Sequence, residues 1–275
     1  MMVWLLAAKV VASMAMVLGL AWVAERVSPR VAGVLSGYPL GVAVALFFVG
    51  VENGADFAAH SAVYTVAGFS ASLALVVAYR AVAHVARAGQ ALLAPLLSVP
   101  CFLAVSALLS RLPLGLAGGT ALTLTCVCLS LWHFRCIENA AIDRRVRLSA
   151  GALLLRAIAA AAVVLLVTGW ARVIGEEWTG VLAAFPVTLF PFLIIIHWTH
   201  GWPQAQTVIK HFPLGMGALL LYTLAVALTY PRVGVLVGTG LSFCLASVYL
   251  WGALLLSGSR PQRDRDRPDD ARSAG

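Results

Sequence analysis

The chain has 275 residues, 61% of them hydrophobic and only 11% charged, with a formal net charge of +8 and a mean hydropathy of +0.94. Soluble globular domains carry about 25% charged residues, so composition excludes an ordinary soluble domain and indicates a membrane protein. The basic excess does not point to nucleic acid: the arginines gather at the ends of apolar runs, where the positive-inside rule puts them.

The first apolar run covers residues 3–24. Ala21-Trp22-Val23-Ala24 resembles a signal-peptide cleavage site, but no basic stretch precedes the run and Lys9 interrupts it. A counterpart at 150–173 lies mid-chain, so the first run is expected to be a retained helix. Eight further runs follow, at 31–51, 57–83, 90–110, 113–134, 149–172, 179–199, 204–229 and 233–257. Each has about 20 residues or more, enough to span roughly 30 Å. None shows the alternating polarity of a barrel strand, and backbone in lipid must be bonded internally, so the runs are expected to be helices. The expected fold is an all-α membrane protein of about nine transmembrane helices.

Lys and Arg in the loops set the orientation. One side collects Arg26, Arg30, Arg80, Arg87, Arg135, Arg144, Arg145 and Arg147, and the tail adds Arg260, Arg263, Arg265, Arg267 and Arg272. The other has Arg111, Arg172 and Arg232 with Glu52, Asp56, Glu176 and Glu177. This predicts the N-terminus outside and the C-terminus in the cytoplasm, in a bacterial cytoplasmic (inner) membrane. The Arg-, Asp- and Pro-rich tail is expected to be disordered.

One stretch occurs twice. Gly33-Val34-Leu35-Ser36-Gly37-Tyr38-Pro39 returns as Gly180-Val181-Leu182-Ala183-Ala184-Phe185-Pro186, at an offset of 147 from Pro39 to Pro186. Lys9 maps onto Arg156, Tyr64 onto His211 and Gly68 onto Gly215 at the same offset. Farther on, Gly115 to Trp132 resembles Gly234 to Trp251 at an offset of 119. The loss of 28 residues is one membrane helix with its turn. The first unit is therefore expected over 1–137 with five helices, a basic cytoplasmic linker over 138–148, a second unit over 149–257 with four, and the tail over 258–275. An odd number of helices in the first unit inverts the second, giving inverted-topology repeats. Their substrate sites typically lie at matched helix interruptions near the midplane. Gly37, Pro39 and Pro186 are the expected broken-helix positions, because proline removes a backbone donor and frees a carbonyl one turn earlier.

Charges inside apolar runs cost roughly 2.5–3.5 kcal/mol at a helix centre and mark functional sites. Lys9, Arg156 and Lys210 are the cases here, with His211 beside Lys210 and no Asp or Glu well inside a run. A cavity lined by cations favours an anion. Lys9, Arg156, Lys210, His211, Tyr64, Tyr38 and Phe185 are the expected substrate-binding residues. The five cysteines read as small apolar packing residues. His197, His200 and His211 read as an interfacial cluster before a zinc site. No cofactor, metal or enzyme constellation is expected.

Two resemblances add to this. The first helix, then Ala32 to Pro39, then Phe47-Phe48-Val49-Gly50-Val51-Glu52 is similar to the small four-helix GlpM-type inner-membrane proteins, here duplicated. The second half departs from that pattern, with His197-Trp198-Thr199-His200 in place of the acidic end. A fused, inverted pair of such units also resembles the architecture of the drug/metabolite transporter superfamily. The first-helix charges here are basic, which implies a substrate of opposite charge to that of its small multidrug members. The expected function is secondary transport of a small anionic metabolite by alternating access, with membrane lipids as neighbours and a homodimer left open. The alternatives are a non-transporting partner in envelope or exopolysaccharide assembly, or a lipid-phosphate flippase.

Overall fold

The computed structural model describes residues 2–24, 27–86, 89–140 and 150–258. Among these residues it holds helices and no strand. They are α1 (Met2–Ala24), α2 (Pro29–Leu35), α3 (Leu40–Asn53), α4 (Ala55–Val85), α5 (Gln90–Leu109), α6 (Gly115–Phe134), α7 (Ala150–Ala183), α8 (Leu189–Thr199) and α9 (Trp202–Gly258). Five stretches are long and apolar enough to cross a membrane: Pro29–Asn53, Ala55–Val85, Gln90–Leu109, Gly115–Phe134 and Trp202–Leu255. Most of the linker expected over 138–148 lies outside the described residues, as does all of the tail beyond Gly258. Outside them too are Arg26, Arg87, Arg144, Arg145, Arg147 and the tail arginines.

The exterior is apolar. Trp4, Leu92, Leu96, Leu129, Leu166, Val248 and Trp251 are all exposed, and they recur on several helices. Apolar patches on soluble monomers rarely exceed a few hundred Å²; an apolar girdle is what a bilayer requires. The interior is built from small residues. Ala32, Ala43, Ala58, Ala62, Ala67, Ala71, Ala184 and Ala218 are buried, which lets helices approach closely where lipid gives no hydrophobic drive for association. α4 lies at the centre and packs against α3, α5, α6, α7 and α9.

Glycine makes the reversals. α7 and α9 each pass through a non-helical residue, Gly175 (φ 80°, ψ 174°) and Gly234 (φ 78°, ψ 172°). Gly54, which separates α3 from α4, has a similar conformation (φ 102°, ψ 157°). Thr179 Oγ1 donates to the Ala171 carbonyl at 3.4 Å, whereas eight residues of continuous helix would separate them by about 12 Å. Tyr249 Oη reaches the Leu214 carbonyl at 3.0 Å. α7 and α9 are therefore hairpins folded at Gly175 and Gly234.

Side-chain bonds tie the helix ends into two groups. Arg80 Nη1 meets His133 Nε2 at 3.0 Å, Trp198 Nε1 donates to the Ala91 carbonyl at 2.8 Å, and the Ala140 amide donates to Thr207 Oγ1 at 2.9 Å. In the other group Arg172 donates to Asn53 Oδ1 and to the Glu52 carbonyl, both at 2.8 Å, and His60 lies 3.3 Å from Glu176.

Candidate functional site

The two copies of the repeated stretch form two helix breaks with the same backbone bonding. α2 ends at Leu35 and α3 starts at Leu40; the helical part of α7 ends at Ala183 and α8 starts at Leu189. Tyr38 N donates to Leu35 O at 2.9 Å, and Phe185 N to Leu182 O at 3.0 Å. Leu40 N donates to Tyr38 O, and Val187 N to Phe185 O, both at 2.8 Å. Ala43 N donates to Pro39 O, and Phe190 N to Pro186 O, again at 2.8 Å. Each member of a pair lies 147 positions from the other. The cause is local: proline cannot donate to the carbonyl one turn back, so the preceding aromatic residue's amide closes a tighter turn instead.

The breaks also pack reciprocally. A methyl group at Gly33 would overlap Val208 and crowd the Cβ of His211; one at Gly180 would overlap Ser61 and the Cβ of Tyr64. Gly37 lies against the backbone of Gly215, and Gly68 against Ala184 and Val181. Moving one partner forward by 147 and the other back by 147 turns Gly33–His211 into Gly180–Tyr64, and Gly37–Gly215 into Ala184–Gly68. Cross-break bonds close the centre. Thr188 Oγ1 donates to the Ser36 carbonyl at 2.8 Å, and Ser72 Oγ to the Ala184 carbonyl at 2.5 Å. The cavity left between the breaks, lined by Ser36, Tyr38, Ser72, Pro186, Thr188 and Phe212, has a volume of about 10 Å³, room for one water at most. The centre is occluded, and Gly37, Pro39 and Pro186 all lie buried in it.

Polar layers lie on either side. On one, Lys9 is 4% exposed and its Nζ lies 2.7 Å from Glu52 Oε2 and 2.8 Å from Thr168 Oγ1. Lys9 is thus not a bare cation: Glu52, at the end of α3, balances it, against the expectation of a pathway lined by cations alone. The bond to Thr168 joins α1 to α7, and Arg172 fastens the same corner to Asn53 and the Glu52 carbonyl.

On the opposite side Lys210 Nζ donates to the Ile137 carbonyl. His211 Nδ1 lies 2.9 Å from the Thr207 carbonyl; a carbonyl can only accept, so Nδ1 carries the proton. Arg30, in the first turn of α2, is within electrostatic reach of both Lys210 and His211. Its Nε is buried with no hydrogen-bond partner. Among the described residues no carboxylate bonds to any of the three. Among the described residues this layer holds two cations and a histidine with no carboxylate beside them, an arrangement that an anion would neutralise.

The remaining expected residues fall apart into different surroundings. Tyr38 bonds to Ser247 Oγ at 2.8 Å, with its ring 6.1 Å from that of Phe243. Phe185, its counterpart, packs edge-on against Phe102 and Phe190. The side chain of Arg156, on α7, lies outside the described residues. His197 bonds to Tyr79 Oη at 2.9 Å and His200 to Thr199. Neither joins His211, and no metal-holding group of three occurs among the described residues. Cys128, Cys136 and Cys244 are exposed and Cys101 and Cys126 half-buried, so only the latter two fit the packing role.

Sequence reasoning missed Arg30, Glu52, Thr168, Ser72 and Thr188. Arg30 and Glu52 sit at run ends and read as loop charges; only the fold turns them inward. Ser72 and Thr188 lie near positions that the repeat offset had already marked, and could have been found by asking what satisfies the carbonyls left open at the helix breaks. Comparison with protein-family models, curated proteins and solved structures finds no match to this chain.

Proposed function

We propose that the chain is a membrane transporter that carries a small anion by alternating access, built from two inverted-topology halves. The reciprocal packing of the two breaks carries this reading: contacts that exchange under a forward and backward shift of 147 are those of a two-fold axis, and the shift crosses an odd number of spans. Counting the arms of the α7 and α9 hairpins separately, and α2 with α3 and the second arm of α7 with α8, gives nine spans among the described residues. Positive-φ glycines pair at the two offsets, Gly54 with Gly201 at 147 and Gly115 with Gly234 at 119, while Gly89 and Gly175 are unmatched. In this reading α5 is the additional helix of the first half, because it lies between α4, matched at 147, and α6, matched at 119. Kinship with GlpM-type proteins and the drug/metabolite transporter architecture belongs to the same proposal.

In this reading the Lys9–Glu52–Thr168 layer is the closed gate and the Arg30–Lys210–His211 layer is the anion site, on the side read as cytoplasmic. Arg156 enters the proposal only as the repeat partner of Lys9 by sequence offset. The occluded centre is what one conformation of an alternating-access protein requires between its two entrances. The test is counterflow of radiolabelled small anions in proteoliposomes. Arg30→Gln and Lys210→Gln should each lower uptake at least tenfold with the same amount of protein inserted, and Arg156→Gln likewise. Normal uptake in all three, or stabilisation of the purified protein by cations and no anion in a thermal-shift screen, refutes the anion site.

A further inference from the structure

A large apolar cavity lies not at the breaks but beside them, between α5 and the two arms of α7. Its volume is about 440 Å³, and its walls include Phe102, Leu103, Leu166, Trp170, Ile174 and Phe185. Leu166 and Trp170 are 62% and 60% exposed, so the cleft opens sideways, onto the apolar girdle. From Val163 to Ile174, beside the Gly175 turn, its wall is about 16 Å tall at 1.5 Å per residue. That is the thickness of one leaflet, half of the roughly 30 Å hydrocarbon core. The cleft thus starts at one membrane boundary, where Trp170 suits the interface, and ends at Phe185, one residue before the Pro186 break.

We infer that this cleft is a binding site for one acyl chain of a phospholipid from the leaflet on the Gly175 side. Its walls are all apolar side chains, so water gains no hydrogen bonds there. A soluble anion would find no partner. The opening faces lipid, and the height matches a chain that enters at the boundary and stops at the midplane. At the other break Tyr38 is held by Ser247 and lies against Phe243. At this break α5 supplies Phe102, whose ring lies 5.2 Å from that of Phe185 in a T-shaped pair. The inference rests on the membrane placement of the helices and not on the transport reading.

The test is native mass spectrometry of the full chain released from mild detergent after reconstitution with a single phosphatidylglycerol species. The wild type should retain one phospholipid through washing that strips the rest. Leu103→Trp with Leu166→Trp fills the cleft and should abolish that retention. Leu129→Trp, at an exposed position on α6, should keep it. A second measurement covers misfolding: the filled variant must give the wild-type monodisperse peak and melting temperature within about 3 °C, and if it does not, Leu103→Phe alone, with partial loss of retention expected, replaces it. No lipid retained by the wild type, equal retention by the filled variant or by Leu103→Phe, or equal loss in Leu129→Trp overturns the site. Retention of free fatty acid in place of phospholipid overturns the assignment of the occupant.

Discussion

Replacing Gly37 by alanine tests the central crossing. The added methyl would lie within 3 Å of the Cα, carbonyl carbon and oxygen of Gly215. These are backbone atoms, so no side-chain rotation relieves the overlap; α2 and α9 must move apart. Overpacking of this kind costs about 1–3 kcal/mol. At about 2–4 °C per kcal/mol for a chain approaching this size, the melting temperature in detergent should fall by about 2–12 °C. Gly169→Ala makes the same chemical change on α7, where nothing lies within 4 Å. There the removal of helix-interior glycine should stabilise by about 0.5–1 kcal/mol. The two substitutions thus have opposite signs, which a helix-propensity account does not predict. Gly180→Ala, against the Ser61 carbonyl, should match Gly37→Ala in sign. Thermal unfolding followed by a thiol-reactive dye or by circular dichroism reads all three. If Gly37→Ala melts at or above the wild type, the close crossing of the breaks is wrong, and with it the argument for a two-fold axis.

Glu52→Leu strands Lys9 in a site it barely leaves, and loss of one partner of a buried pair costs about 3–5 kcal/mol. Lys9→Met should cost less, because Glu52 is 25% exposed and can reach polar surroundings. The double variant should regain most of the loss, and additive single effects in a thermal double-mutant cycle would dismiss the pair as a lock. Thr188→Val and Ser72→Ala each leave a buried carbonyl without its donor, at about 1–3 kcal/mol apiece. Denaturation in detergent reads this, and unchanged stability in both would mean that the breaks are satisfied in another way.

Some of this was legible without coordinates because it is written in composition and short-range chemistry. Long apolar runs must be helices wherever lipid surrounds them, since an unpaired peptide group has no alternative partner. Proline after an aromatic residue breaks a helix whatever lies around it, and Pro39 and Pro186 do so with the same bonds. The offset of 147 relates the two stretches in sequence, and the backbone bonds at the two breaks keep the same offset. What spacing cannot reveal is partnership across the fold. Lys9 and Glu52 are 43 residues apart with no periodic relation, and whether a charge at a run end turns outward to headgroups or inward to a lysine depends on how α1, α3 and α7 meet. The same holds for Arg30, which reads as a loop charge until α2 is laid against α9.

The chain's sequence by itself determined that it is helical and apolar, and where the helices break at Pro39 and Pro186. Local rules suffice there, because hydrogen bonding in lipid and the missing proline donor act within a turn or two of the residue concerned. Only the tertiary structure decided that the breaks face each other with room for about one water, that Lys9 is neutralised by Glu52 while Lys210 bonds to a backbone carbonyl, and that an apolar cleft opens beside Phe185. Those are properties of surfaces brought together from distant segments, and their energies depend on distances that a linear pattern does not contain.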